Sequence, residues 1–205
     1  MEWLSLAVLG VLIVISPGAD FVLVLKNSVN QGRSAGLWTA MGVSSAICVH
    51  IAYSMLGISY LISQNEALFS TIKYAGAAYL IYLGLKGLFS AAADSETIES
   101  DSMQQQPYQS FFQGFLCNVL NPKTMLFFLS IFSQLISPNT EISSNPLPLI
   151  YGVYMIVLHG VWFALVAFLF TSQALQTRLQ RMKKALNRLC GAGLIAFGSI
   201  LALKS

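Results

Sequence analysis

The residues best placed to do chemistry are Ser16-Pro17-Gly18-Ala19-Asp20, which interrupt an apolar run over residues 3–25. That run is long enough to cross a bilayer, which takes roughly 20 residues. Proline removes a helix hydrogen bond, and a carboxylate at membrane depth costs about 2.5–3.5 kcal/mol on insertion scales. With Ser16 as N-cap and Pro17 as first helical residue, the stretch predicts a helix that breaks and restarts. Broken backbone is tolerated at that depth where protein buries it or where it lines a wet cavity.

A second break of this kind is predicted at Asn121-Pro122-Lys123, inside an apolar segment over about residues 111–136. Asn121 is a good N-cap, and Pro122 again suits the first helical position. The N-terminus of each restarted half-helix carries free N–H groups and about half a positive charge. Two such ends that meet near the middle of the membrane would suit a carboxylate. Asn118, one turn before Asn121, would line the same cavity.

Composition places these two stretches in an integral membrane protein. Of the 205 residues, 56% are hydrophobic and 9% are charged, and the mean hydropathy is +0.68. A soluble domain averages about 25% charged residues. The net charge of +3 gives no indication of a nucleic-acid partner. The 3 cysteines fall in separate apolar segments without a C-x-x-C pair, so no metal cluster is predicted.

Six apolar segments follow one another along the chain, and we predict an all-α membrane protein with six transmembrane helices. The many small residues within them are typical of helices that pack closely in lipid, and such faces are compatible with a homodimer. The segments span about residues 3–25, 35–62, 67–92, 111–136, 147–171 and 186–203.

Three segments on either side of an acidic, polar linker predict two inverted three-helix repeats in a single domain, residues 1–205. Repeat one spans about residues 1–92, the linker about 93–109 and repeat two about 110–205. A proline break falls in the first segment of each repeat, so helices 1 and 4 are both predicted to be broken near the midplane. Paired broken helices in corresponding positions of two halves are the sequence sign of a transporter site.

The distribution of Lys and Arg predicts the orientation, because cytoplasmic loops carry an excess of both. With the N-terminus outside, eight of the 11 basic residues fall in cytoplasmic loops. Five of these eight form the run from Arg178 to Arg188. We therefore predict that the N-terminus and the C-terminus both lie outside.

Three motifs resemble those of the LysE/RhtB family of amino-acid exporters. They are Pro17-Gly18-Ala19-Asp20, then Ala77-Ala78-Tyr79-Leu80 with Gly84, and then Gly114-Phe115 through Asn118 to Asn121-Pro122-Lys123. The resemblance covers essentially the whole chain, although the family often has a second proline where this chain has Ala19. It implies export of amino acids or similar small metabolites, exchanged for protons, across a bacterial inner membrane.

An amino acid is a zwitterion, so its ammonium group needs an anionic partner. Asp20 is the only acid in the predicted segments away from their ends, and Lys123 is the only similarly placed cation. In the functional interpretation Asp20 binds the ammonium group or carries a proton. In the structural interpretation Asp20 and Lys123 form a buried ion pair that fixes helices 1 and 4. The predicted binding residues are Ser16, Pro17, Gly18, Asp20, Asn118, Asn121, Pro122 and Lys123.

Proton coupling is assigned to Asp20 together with His50 in the second segment, because histidine titrates near neutral pH. His159 in the fifth segment is another candidate relay, and Gln113 is another candidate for the cavity wall. For each of His50, His159 and Gln113, a hydrogen bond between helices is the competing explanation.

Three other classes of protein compete with the exporter. An intramembrane aspartyl enzyme needs two carboxylates that share a proton, and a zinc enzyme would show H-E-x-x-H, so an enzyme is disfavoured. An exporter of an inorganic or metal ion on a related scaffold is the main alternative, although the sequence lacks the Cys or His clusters that soft metals prefer. A membrane scaffold without transport activity would leave the two breaks unexplained.

Overall fold

The computed structural model describes residues 3–64, 66–89, 106–136, 145–169 and 173–203, and almost all of them are helical. No strand occurs in this part of the chain, which confirms the predicted all-α class. The helices are α1 (Trp3–Ile15), α2 (Ala19–Gln31), α3 (Arg33–Gln64), α4 (Glu66–Phe89), α5 (Pro107–Val119), α6 (Pro122–Leu135), α7 (Leu147–Leu169) and α8 (Gln173–Leu203).

Two pairs of these helices are single apolar segments with a bend in the middle. The axes of α1 and α2 differ by 51°, and those of α5 and α6 by 55°. The breaks predicted in the first and fourth segments are therefore confirmed. Helices α3, α4, α7 and α8 correspond to the second, third, fifth and sixth predicted segments.

Two helices are long and apolar enough to cross a membrane by themselves, α7 and the Arg33–Gly57 part of α3. Counting each bent pair as one crossing raises the number of candidate spans in the described residues to four. The chain is thus a multi-pass membrane protein. Six crossings, the inverted repeats and the midplane position of the breaks stay predictions.

Two helices begin earlier in the sequence than the predicted apolar segments. Residues 90–105, most of the predicted linker, lie outside the described residues, but Pro107–Gln109 belong to α5. Pro107 opens that helix, and the Gln109 side chain accepts a hydrogen bond from the Gln106 backbone N–H at 3.0 Å, so these polar residues start a helix. Likewise the basic run Arg178–Arg188, predicted mostly as a loop, is part of α8. At about 1.5 Å per residue, a helix of 31 residues outreaches the hydrocarbon core and can carry charges beyond it.

Helix α1 is held against α7 by two tyrosines that reach its backbone. The hydroxyl of the fully buried Tyr151 donates to the Leu6 carbonyl at 3.3 Å, and that of Tyr154 donates to the Ala7 carbonyl at 2.9 Å. Gly10 lets the two helices approach, because a Cβ there would lie 2.9 Å from Met155 Sδ. These contacts hold the first half and the middle of α1 against α7.

Helix α5 packs on α3 with backbone against backbone. A Cβ at Gly114 would collide with the Thr39 carbonyl oxygen, and a Cβ at Gly42 would collide with the Phe111 carbonyl oxygen. Close approach of this kind through small residues is typical of helices in membranes. It fixes the position of α5, whose last turn carries Asn118.

Candidate functional site

The first break leaves the start of α2 open. Helix α1 ends at Ile15, and the Ser16 N–H still donates to the Leu12 carbonyl at 3.0 Å. Gly18 is the N-cap of α2 in an extended conformation, and as a glycine it has no side chain to cap the helix. The predicted restart, with Ser16 as N-cap and Pro17 as first helical residue, is therefore wrong. The Ser16 N–H closes the last turn of α1, and α2 begins after the N-cap Gly18, beyond both Ser16 and Pro17.

The second break follows the prediction. Asn121 is the N-cap of α6, and its Oδ1 accepts a hydrogen bond from the Lys123 backbone N–H at 3.0 Å. Pro122 occupies the first turn. The side-chain amide of Asn121 remains available, and it points to the other break.

Asp20 joins the two breaks through hydrogen bonds. Its Oδ2 accepts from Asn121 Nδ2 at 2.8 Å and from Asn118 Nδ2 at 3.0 Å. The side chain is only 7% exposed, and its Oδ1 is buried with no hydrogen-bond partner among the described residues. A buried carboxylate oxygen without a donor is costly, so Oδ1 is ready to accept from a bound cationic group.

Lys123 reaches across to the first break but not to Asp20. Its Nζ donates to the Ser16 carbonyl at 2.6 Å, at the carboxyl end of α1, where the helix dipole favours a cation. Within the described residues no ion pair joins Lys123 to a carboxylate, so the Asp20–Lys123 pair of the structural interpretation is not formed. An ammonium group has three donors, and this contact uses one of them.

Both side chains line one cavity between α1, α2, α6 and α7. Its polar wall consists of Ser16, Gly18, Asp20, Lys123, Thr124 and His159, and its apolar wall of Ile13, Val14, Phe21, Phe127, Phe128 and Phe163. The cavity volume is ≈ 20 Å³, which is room for about one water molecule at roughly 10–15 Å³ each. The cavity is therefore smaller than an amino acid.

The other predicted binding residues lie around the cavity and not in its wall. Asn118 and Asn121 donate hydrogen bonds to Asp20, while Pro17 and Pro122 lie at the two breaks. Gln113 accepts a hydrogen bond from Asn27 Nδ2 at 3.1 Å in a polar cluster between α2, α3 and α5, as the competing explanation held.

The two histidines occupy different places. His50 Nε2 lies 3.0 Å from the Asn118 carbonyl oxygen and its Nδ1 lies 2.7 Å from the Tyr53 hydroxyl, so both ring nitrogens are engaged outside the cavity. His159 does line the cavity. Sequence reasoning preferred His50 and did not single out Thr124 or the aromatic wall. The spacing of Phe127 and Phe128 one turn after Lys123 could have placed them on the same face of α6.

These features define a class of protein: an all-α membrane protein in which two broken helices bring a carboxylate, an ammonium group and an open helix start to one cavity. The chain belongs to the LysE type translocator family, whose sequence pattern matches residues 11–205. The family is one of transporters.

The chain is similar to several curated bacterial proteins over nearly its whole length. It is 34% identical to the uncharacterized membrane protein YrhP of Bacillus subtilis, over 91% of each chain. It is 32% identical to the leucine efflux protein of Salmonella choleraesuis, over 94% of this chain and 90% of the relative. It is 26% identical to the threonine efflux protein of Escherichia coli K12, over 97% and 96%. No solved structure matches the chain.

Proposed function

We propose that this protein is a secondary transporter that exports amino acids or related small metabolites from the cytoplasm of a bacterium. Its family consists of translocators, and two of its relatives are named for the efflux of leucine and of threonine. The observation that carries the proposal is the unpartnered Oδ1 of Asp20 in a cavity that also contains the Lys123 ammonium group.

The two charged ends of an amino acid match this pair of side chains. The ammonium group of the substrate donates to Asp20 Oδ1, which has no other donor among the described residues. The carboxylate accepts from Lys123 Nζ and from the N–H groups of Ala19 and Asp20 at the start of α2, whose N-cap Gly18 has no side chain. The positive end of the α2 dipole favours the carboxylate further.

Asp20 also carries the proton in this proposal. When the substrate leaves, the carboxylate loses its cationic partner, and a proton taken from outside replaces it. The exchange of one ammonium group for one proton at Asp20 couples export to proton entry. His50 acts on this step indirectly, because it holds the Asn118 carbonyl while the Asn118 side chain donates to Asp20.

Export requires that the cavity widen and open to each side of the membrane in turn. Two inverted three-helix repeats with both termini outside would supply two related conformations, each opening the site to one face of the inner membrane. The bends at the two breaks are where α2 and α6 meet the cavity, so movement of either half-helix would change access to Asp20.

The test is flux of radiolabelled amino acids in proteoliposomes that contain the purified protein, with a panel of neutral, basic and acidic amino acids. We expect uptake in exchange for internal unlabelled substrate, and acceleration by a pH gradient. Asp20→Asn should fold, because an amide oxygen still accepts from Asn118 and Asn121, but it should abolish exchange. Glu66→Gln is the matched control, since it makes the same chemical change at the start of α4. Normal exchange by Asp20→Asn would refute the role of Asp20, and no flux of any amino acid by the wild type would refute the proposed function.

A further inference from the structure

His159 is a buried histidine with one free ring nitrogen. The side chain is 4% exposed, and its Nδ1 lies 2.7 Å from the Met155 carbonyl oxygen, one turn earlier on α7. A carbonyl oxygen only accepts, so Nδ1 carries the hydrogen, and Nε2 of the neutral ring is an acceptor. No described residue forms a hydrogen bond with Nε2.

The position of His159 sets it apart from the groups that bind the charged ends of the substrate. The other polar side chains of the cavity, Ser16, Asp20, Lys123 and Thr124, all belong to the two broken segments. His159 lies on the unbroken α7. The Thr124 hydroxyl accepts a long hydrogen bond from Asn118 Nδ2 at 3.4 Å, whereas the only hydrogen bond of His159 among the described residues is the one made by Nδ1.

The rest of that wall is apolar. Phe127 and Phe128 follow Lys123 by one turn of α6, about 6 Å along the helix axis, and Phe163 follows His159 by one turn of α7, with the two ring centroids 6.1 Å apart. Apart from Asp20 and Lys123, the described residues of the cavity wall include no carboxylate, ammonium or guanidinium group that could pair with a charged substrate side chain. A substrate side chain there meets rings, aliphatic groups and two polar groups, the Thr124 hydroxyl and His159 Nε2.

We infer that His159 contacts the substrate side chain and determines specificity, with its Nε2 accepting a hydrogen bond from a hydroxyl group of the substrate. The site then favours a small hydroxylated neutral amino acid over an aliphatic one of the same shape. This inference rests on the proposed function, because it assumes that Asp20 and Lys123 bind the ammonium and carboxylate groups. A hydrogen bond between neutral groups changes an affinity by roughly 3- to 10-fold.

Threonine and valine provide the test, since they differ only by a hydroxyl in place of a methyl group. The purified full-length chain in proteoliposomes is assayed for exchange of each amino acid, and the ratio of kcat/KM values is compared among variants. His159→Leu removes the acceptor, whereas His159→Gln places an amide near the position of Nε2. His50→Gln is the matched control, a buried histidine whose ring does not line the cavity.

We expect the wild type to prefer threonine by roughly 3- to 10-fold. His159→Leu should bring the ratio close to one, His159→Gln should keep the preference for threonine, and His50→Gln should keep the ratio whatever its effect on rate. Competition of unlabelled threonine and valine against labelled substrate in the wild type gives the same ratio without any variant. Exchange of other amino acids with no preference for threonine over valine would refute the inference while leaving the proposed function intact. So would an unchanged ratio in an active His159→Leu variant.

Discussion

A methyl group added at Gly114 should disturb the position of Asn118, although Gly114 does not line the cavity. A Cβ at this position of α5 would collide with the carbonyl oxygen of Thr39 and lie 3.1 Å from its Cα. These are backbone atoms of α3, so the strain is relieved only if α5 moves away. Asn118 lies one turn further on the same face of α5 and moves with it. That movement separates Asn118 from His50 and from Asp20, which it now contacts at 3.0 Å.

The magnitude follows from two opposing contributions to the free energy of unfolding. Overpacking of a filled interface costs about 1–3 kcal/mol, and contact with backbone favours the upper end. Replacing Gly by Ala inside a helix returns about 1 kcal/mol. Gly114→Ala should therefore destabilise the protein by about 2 kcal/mol. Loss of the Asn118 hydrogen bond to the charged Asp20 should lower exchange about tenfold.

Gly57→Ala is the matched control, because it makes the same substitution in α3 where nothing lies within 4 Å of the new Cβ. It should be neutral or more stable by up to about 1 kcal/mol. The two variants should then differ by about 2–3 kcal/mol, or about 4–12 °C in melting temperature. Thermal unfolding in detergent and amino-acid exchange in proteoliposomes measure the two effects. Equal melting temperatures for Gly114→Ala and Gly57→Ala would show that α3 and α5 are not in backbone contact.

Three further predictions test the breaks and the orientation. Lys123→Met should lower the free energy of unfolding by about 1–3 kcal/mol, because the Ser16 carbonyl loses its donor. Neutralising Asp20 in the same chain should not restore that stability. Restored thermal stability in the double variant would indicate an ion pair between Asp20 and Lys123. Asn121→Ala should lower the free energy of unfolding by about 1 kcal/mol, because α6 loses its N-cap. It should also weaken exchange, because Asp20 loses a hydrogen-bond donor. An unchanged rate and pH dependence of exchange would contradict the role of Asn121 at Asp20. If both termini are outside, an impermeant thiol reagent applied to intact cells should label a single cysteine at Ser143 but not one at Ser34. Ser143 lies outside the described residues, and Ser34 lies in the first turn of α3. The reverse labelling pattern would mean that the predicted topology is inverted.

Local signals in the sequence were enough to predict the breaks. Pro122 and Asn121 are neighbours in the chain, so their helix start needs no other part of the fold. The composition, 56% hydrophobic and 9% charged, was enough for the membrane class. Ser16 and Pro17 carry a similar signal, yet the Ser16 N–H bonds the Leu12 carbonyl of α1, and the N-cap of α2 is Gly18. Serine and glycine are both acceptable N-caps, so the local sequence does not choose between these two starts.

Which side chains face the cavity was decided by the tertiary structure alone. In a soluble protein the polar face of a helix reveals its outer side, but in a membrane both the lipid face and the packed face are apolar. His50 and His159 are therefore equivalent in sequence, each a single histidine in an apolar helix, while the rotation of α3 and α7 places one outside the cavity and one in its wall. The partner of Lys123 was hidden for a related reason. Charge alone suggested Asp20, but the amides of Asn118 and Asn121 bind that carboxylate, while the ammonium group donates to the Ser16 carbonyl at the end of α1.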